Sequence, residues 1–275
     1  MIKMLPLAVI ITTGYYFSHA QSSSTLMGAR ASSMGYASSC LDDEWSILNN
    51  IGGLSKVNAA TAAFTYDAQP SFKPFNKAAA VFAVPLKFGV AGLGVYRFGD
   101  NIYNEQILTA GFASTFGLAS LGLKLNYVQY NAEGFGRKGV LSFSLGGIAE
   151  LTPQLSVGAH IININQPKIS DVDDERLPTI LIAGISFKLS HKTFVTLEVE
   201  KDVDYKPTWK TGLEYQVHKK FIFRTGVNIH PNAGFFGLGF KPKKFSLDYA
   251  YHYRPDLGAR HQATVGYKFN EPKKK

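Results

Sequence analysis

From residue 59 to residue 269 apolar and polar residues alternate with a period of two, broken at intervals by turn-forming residues. Phe245, Leu247, Tyr249, Tyr251 and Tyr253 fall on one face of a strand, and Ser246, Asp248, Ala250, His252 and Arg254 on the other. Trp209, Thr211, Leu213, Tyr215 and Val217 alternate in the same way with Lys210, Gly212, Glu214, Gln216 and His218. The pattern predicts strands over 59–67, 77–86, 88–99, 103–115, 117–130, 138–151, 154–166, 178–190, 192–201, 206–218, 220–230, 233–242, 244–254 and 259–269. Most exceed the roughly 5–6 residues usual in soluble sheets. They match the roughly 9–11 residues that cross a bilayer at a tilt. An even set of fourteen such strands predicts an all-β protein, a closed antiparallel transmembrane β-barrel. A secreted soluble β protein is the alternative.

The connections alternate in length. Those at 68–76, 100–102, 131–137, 167–177, 202–205, 231–232 and 255–258 would face outward. Between them most turns have only one to three residues, such as those at Lys87, Phe116 and Lys219. Short inner turns and longer outer loops suit an outer-membrane barrel. Aromatic residues near strand ends read as interfacial girdles: Tyr96, Phe98, Tyr127, Tyr130, Phe194, Trp209, Phe221, Phe223, Phe240, Tyr253, Tyr267 and Phe269. The other face carries Lys124, Asn126, Glu198, Glu200, Glu214, Arg224, Asn228, Asp248 and His252. A polar lumen accommodates them, with Glu214, Arg224, Asp248 and His252 as a candidate network. The twenty-six glycines suit turns and close inter-strand approach.

The N-terminus differs from the rest. Lys3, the apolar run at 5–12 and Ser18-His19-Ala20 form a signal-peptide pattern, giving 1–20 as signal, 21–57 as an N-terminal plug, 58–270 as the barrel and 271–275 as a basic periplasmic tail. Both termini of the exported chain would then be periplasmic. The formal charge is +9, and Lys3 is the sole charge in the signal, so the remainder carries +8. No basic helix or RNA-binding aromatic motif accompanies this excess, which argues against nucleic acid. Lys192, Lys219, Lys220, Lys241, Lys243, Lys244 and residues 273–275 instead fall at the inner rim. They would be solvated there against anionic lipid, or would dock an acidic periplasmic partner. The single cysteine, Cys40, cannot form an internal disulfide.

Residues 27–54 read MGARASSMGYASSCLDDEWSILNNIGGL, which is neither alternating nor helical. The small residues here suit packing in a narrow lumen. Arg30 needs a carboxylate partner such as Asp42, Asp43 or Glu214, and Asn49 and Asn50 can satisfy backbone groups at a turn. The order Gly28-Ala29-Arg30-Ala31, Met34-Gly35, Ala37, Leu41-Asp42-Asp43, Trp45, Asn50 and Gly53-Leu54 resembles the N-terminal signature of FadL-like outer-membrane barrels. It is most similar to the PorV/PorQ group associated with type IX secretion. The resemblance implies a fourteen-stranded barrel with residues Gly28, Ala29, Arg30, Gly35, Asp42, Asp43, Trp45, Asn49, Asn50 and Gly53 in a plug, in a Gram-negative outer membrane of the Bacteroidetes type. Departures are Ile51 for the family's Pro, Gly52 for Ala, and Ser33 for Gly. Ile51 implies a less rigid turn, because it does not fix φ.

Other chemistry is weak. Ser246, Asp248 and His252 share a strand face, but spacings of two residues are about 6–7 Å, outside direct hydrogen-bond reach. A polar network fits better than a triad. The acidic run 171–175 reads as a solvated outer loop, with hard-cation binding as the alternative. No cysteine–histidine spacing suits zinc, and no catalytic residue or cofactor is expected. The expectation is a non-enzymatic outer-membrane barrel, an accessory scaffold for protein secretion or assembly that contacts lipid and protein partners. The alternative is a passive FadL-like transporter of a hydrophobic ligand.

Overall fold

The computed structural model describes residues 24–134, 136–170, 175–203 and 205–269. The signal pattern at 1–20, the basic tail at 271–275 and residues 171–174 of the acidic run lie outside the described residues. Fourteen strands form one closed antiparallel barrel: β1 Thr61–Ala68, β2 Lys77–Leu86, β3 Gly89–Gly99, β4 Tyr103–Phe116, β5 Ala119–Ala132, β6 Gly136–Glu150, β7 Leu155–Ile162, β8 Ile180–Ser190, β9 Thr193–Asp202, β10 Thr208–His218, β11 Phe221–Ile229, β12 Ala233–Phe240, β13 Phe245–Arg254 and β14 Gly258–Lys268. Each strand pairs with its sequence neighbours. β1 closes on β14 from Thr61↔Lys268 to Ala68↔His261, leaving no open edge.

The alternation determines which way the sheet faces. Phe64, Leu93, Leu108, Leu141, Ile185, Phe187, Leu238 and Leu247 all project outward and are exposed. A continuous apolar exterior of this kind is stable in lipid and not in water. The inward positions carry the polar residues, so the largest fully buried apolar side chains are not the strands' own. They are Met27, Met34, Leu41, Ile47, Ile51 and Leu54, all from the N-terminal segment. At about 1.5–3 kcal/mol per fully buried side chain, these contacts are a main reason for that segment to stay in the lumen.

Two strand-level expectations need correction. Tyr96, Phe98, Tyr130 and Phe194 do not belong to an outer girdle. Tyr96 is 3% exposed within the lumenal apolar cluster, Phe98 and Tyr130 pack on that cluster, and Phe194 packs against the group formed by Ala31, Met34 and Leu41. Their strand parity points inward, and closeness to a strand end says nothing about the face. Aromatic pairs do line the outer side of the wall where parity allows it: Phe221–Phe240 and Phe245–Tyr267 lie 4.9 Å apart, and Tyr267–Phe269 5.1 Å.

The strand expected over 154–166 stops at Ile162, and the connection runs from 163 to 179. β6 and β7 pair only from Leu145↔Ile161 to Glu150↔Ser156. Beyond that point Asn165 takes over the ladder: its side-chain amide accepts from the Phe143 N–H at 3.0 Å and donates to the Leu141 carbonyl at 2.9 Å. A side-chain amide can imitate a neighbouring strand in this way.

Candidate functional site

Residues 24–57 follow the inner wall around the barrel. The short helix α1, Ala29–Ser33, lies against β11–β14. Met34 and Gly35 then lie on β10 and β11, and Ser39 and Cys40 on β7–β9. The 3-10 turn Ile51–Lys56 packs on β3–β6 before the chain enters β1.

What lets backbone approach the wall is a belt of inward glycines. Gly92 is paired with Gly111, Gly122 with Gly146, Gly158 with Gly184, and Gly212 with Gly226. A Cβ on Gly212 would lie 2.5 Å from the Cβ of Met34, and one on Gly122 would lie 2.7 Å from Cγ1 of Ile51. The glycines are therefore the groove in which the segment sits. Composition predicted turns and close inter-strand approach for them; the signal that could have revealed the belt is glycine at inward parity in successive strands. Ile51 also gains a role. It replaces a ring that would fix φ with a side chain that fills the groove over Gly111 and Gly122, and it is 1% exposed.

Polar groups of the wall hold the segment's backbone. Lys124 Nζ donates to the carbonyls of Leu48 at 2.8 Å and Asn49 at 2.9 Å. The Ser39 N–H donates to Glu198 at 2.6 Å, and the Ala29 N–H to Thr264 at 2.9 Å. Within the segment, Asn49 accepts from the Met27 N–H and donates to its carbonyl, both at 3.0 Å. Asn50 accepts from the Gly52 N–H and donates to the carbonyls of Ser39 and Gly147. Gly28, at φ +100°, lies under the Trp45 ring, where a Cβ would come within 2.8 Å of Cγ. Gly53 similarly lies against Ser46, 2.6 Å from its hydroxyl if it carried a Cβ. Gly35, at φ +68°, faces Asn228.

The charged residues form one chain. Arg30 grips Glu214 with two donors, at 3.0 and 3.2 Å, and reaches Asp43 at 3.2 Å and Asp42 at 3.6 Å. Arg224, fully buried, donates to Glu214 and to Asp248, each at 2.6 Å. His252 is not part of this network, contrary to expectation. Four residues along β13 from Asp248, it is too far along the strand for a direct bond. It packs instead on Phe235 at 5.1 Å and Tyr36 at 6.4 Å.

Burial affects the titrating groups of the segment. It opposes the charge of Arg30, but Glu214, Asp43 and Asp42 outweigh it and hold the guanidinium protonated well above its ordinary range. Burial raises the Asp43 carboxyl despite Arg30 beside it, and Asp42 adds to the rise. Burial and the Asp43 charge push Glu44 up to about 7. The Cys40 thiol is pushed up to about 11 by burial, which keeps it a thiol rather than a nucleophile. The rim lysines Lys219, Lys220, Lys241, Lys243 and Lys244 occupy the β10–β11 and β12–β13 turns, at the end of the barrel where β1 begins.

On the opposite side of the segment the lumen holds a cavity of about 640 Å³. Its floor is the segment itself, at Leu26, Tyr36 and Leu48. Apolar walls at Tyr96, Ile107, Val128, Ile182 and Phe235 alternate with Lys77, Lys124, Lys210 and Arg260. These cations already hold wall or segment groups; Lys210, for example, donates to Glu198 at 3.0 Å and Glu200 at 2.5 Å. Their charge is thus largely spent on the protein.

No family model matches the chain, and no curated protein matches it. Solved structures do share its fold. The Ralstonia pickettii toluene transporter TbuX is 11% identical and superposes with a TM-score of 0.74 over 90% of this chain and 99% of its own. The monoaromatic hydrocarbon channel CymD is 14% identical, with a TM-score of 0.66 over 88% and 97%. The Pseudomonas putida toluene transporter TodX is 11% identical, with a TM-score of 0.64 over 88% and 97%. At these identities the likeness is one of fold alone.

Proposed function

We propose that the protein is a passive outer-membrane transporter of hydrophobic small molecules, in which residues 24–57 act as a plug. The observation that carries this reading is the cavity of about 640 Å³, floored by the N-terminal segment and lined by apolar and aromatic side chains among charged ones that mostly pair within the protein. The shared fold with hydrocarbon transporters supports it. A ligand entering from the loop rim would pass by a shift of the segment, which packs directly on the wall at the glycine belt. In liposomes the protein is expected to speed uptake of a hydrophobic dye, and deletion of residues 21–57 to raise permeability further. Equal permeability with and without the segment, in barrels that keep their heat-modifiable gel mobility, would count against a plug.

The accessory-scaffold reading has its own observation. The rim where β1 begins carries the lysine turns on one arc, while on the other arc Phe88, Leu118 and Leu151 are 76%, 70% and 52% exposed. Apolar turn tips beside a basic arc suit a periplasmic protein with an acidic edge. Charge reversal at Lys219, Lys220, Lys243 and Lys244 is expected to abolish low-salt capture of envelope proteins. Capture insensitive to that reversal would sink the scaffold reading.

A further inference from the structure

The cavity end nearest the longer loops carries more charge than a hydrocarbon needs. On β13 the inward positions are His252 and then Arg254, about 6–7 Å apart. His252 is register-paired with Phe235 on β12 and with Arg260 on β14. Phe235, His252 and Tyr36 form a floor of three rings, with centroids 5.1–6.4 Å apart. One step nearer the rim, Arg254 is paired with Gly258, and Ala233 lines the cavity from β12. Small neighbours therefore leave room beside the guanidinium.

The cations here are not equally satisfied. Arg260 donates to Asp67 at 3.1 and 3.0 Å and to the Phe75 carbonyl at 2.9 Å. Lys77 donates to the Ser24 carbonyl at 2.7 Å and has Glu105 within electrostatic reach. Arg254 is half-buried and lines the cavity with Asp256 and Arg260 as its charged neighbours, and its guanidinium donates no hydrogen bond among the described residues. A neutral hydrocarbon offers no acceptor to the two terminal guanidinium nitrogens, which unlike Nε are not covered by protein; a carboxylate in the cavity does.

We propose that this end of the lumen is a binding site for an aromatic monocarboxylate, with Arg254 holding the carboxylate and the ring lying on Phe235, His252 and Tyr36. The inference rests on the transporter reading for its physiological sense, but binding is measured separately from flux. Rings favour edge and offset contacts with other rings, which an alkyl chain cannot offer.

The test is calorimetry on the full chain in detergent, with benzoate, toluene and decanoate. Benzoate is expected to bind at least about tenfold more tightly than toluene, in the range of one charge-assisted hydrogen bond. R254Q is expected to lose about tenfold for benzoate and nothing for toluene. A233L, which fills the space and leaves the charge, is expected to abolish benzoate binding alone. Toluene as tight as benzoate, decanoate as tight as benzoate, or an unchanged R254Q would each overturn the proposal. Calorimetry without a benzoate preference, beside liposome flux of toluene, would overturn this inference and keep transport; benzoate-selective binding without flux of either would do the reverse.

Discussion

Arg224→Met is expected to lower the stability of the refolded barrel by about 3–5 kcal/mol, the range for removing one member of a buried ion pair. Arg224 is fully buried between Glu214 and Asp248. Glu214 keeps Arg30 when Arg224 is lost, so Asp248 is the group left charged, buried and unpaired. The cost therefore belongs to Asp248, and R224M/D248N is expected to recover most of it. Urea unfolding in detergent micelles, run as a double-mutant cycle, measures both numbers. If the double variant is no more stable than R224M, the loss is one of packing and the network carries no special weight.

Gly212→Val is expected to displace the N-terminal segment while leaving the barrel intact. Valine suits a strand better than glycine does, so the wall itself should not suffer. Its side chain, however, must occupy the place of Met34, whose Cβ lies 2.5 Å from where the new Cβ would stand. Overpacking of this kind costs about 1–3 kcal/mol. The two tryptophans separate the effects, since Trp45 is buried in the segment and Trp209 is exposed on the outer wall. In a W209F background the Trp45 emission is expected to shift to the red and residues 24–57 to become protease-sensitive. In a W45F background the Trp209 emission is expected to stay unchanged. An unmoved Trp45 would mean that the glycine belt is not what seats the segment.

The alternation of apolar and polar residues determined the barrel. A period of two, sustained over strands this long, allows one face in lipid and one in the lumen, and closure follows because no edge can stand open in a membrane. The need of Arg30 for a carboxylate was also legible, since a charge that enters a lumen must be paired, and the candidates were few. Tertiary structure decided the rest. Which of Asp42, Asp43 and Glu214 would pair with Arg30 depended on the path of the segment, and all three do. The lumenal side of Phe194 and Tyr130 was, by contrast, legible from parity, since they alternate in step with Glu198 and Glu200 and with Lys124 and Asn126; nearness to a strand end misplaced them. His252 left the charge network because four residues along a strand separate it from Asp248, and the rings of Phe235 and Tyr36 stood nearer. The glycine belt was hidden because each glycine acts through a neighbour far away in the chain: Gly212 matters through Met34 and Gly122 through Ile51. Glycine at inward parity in successive strands marked the place of the belt, but a residue with no side chain does not say what packs on it; that comes from what the fold places against it.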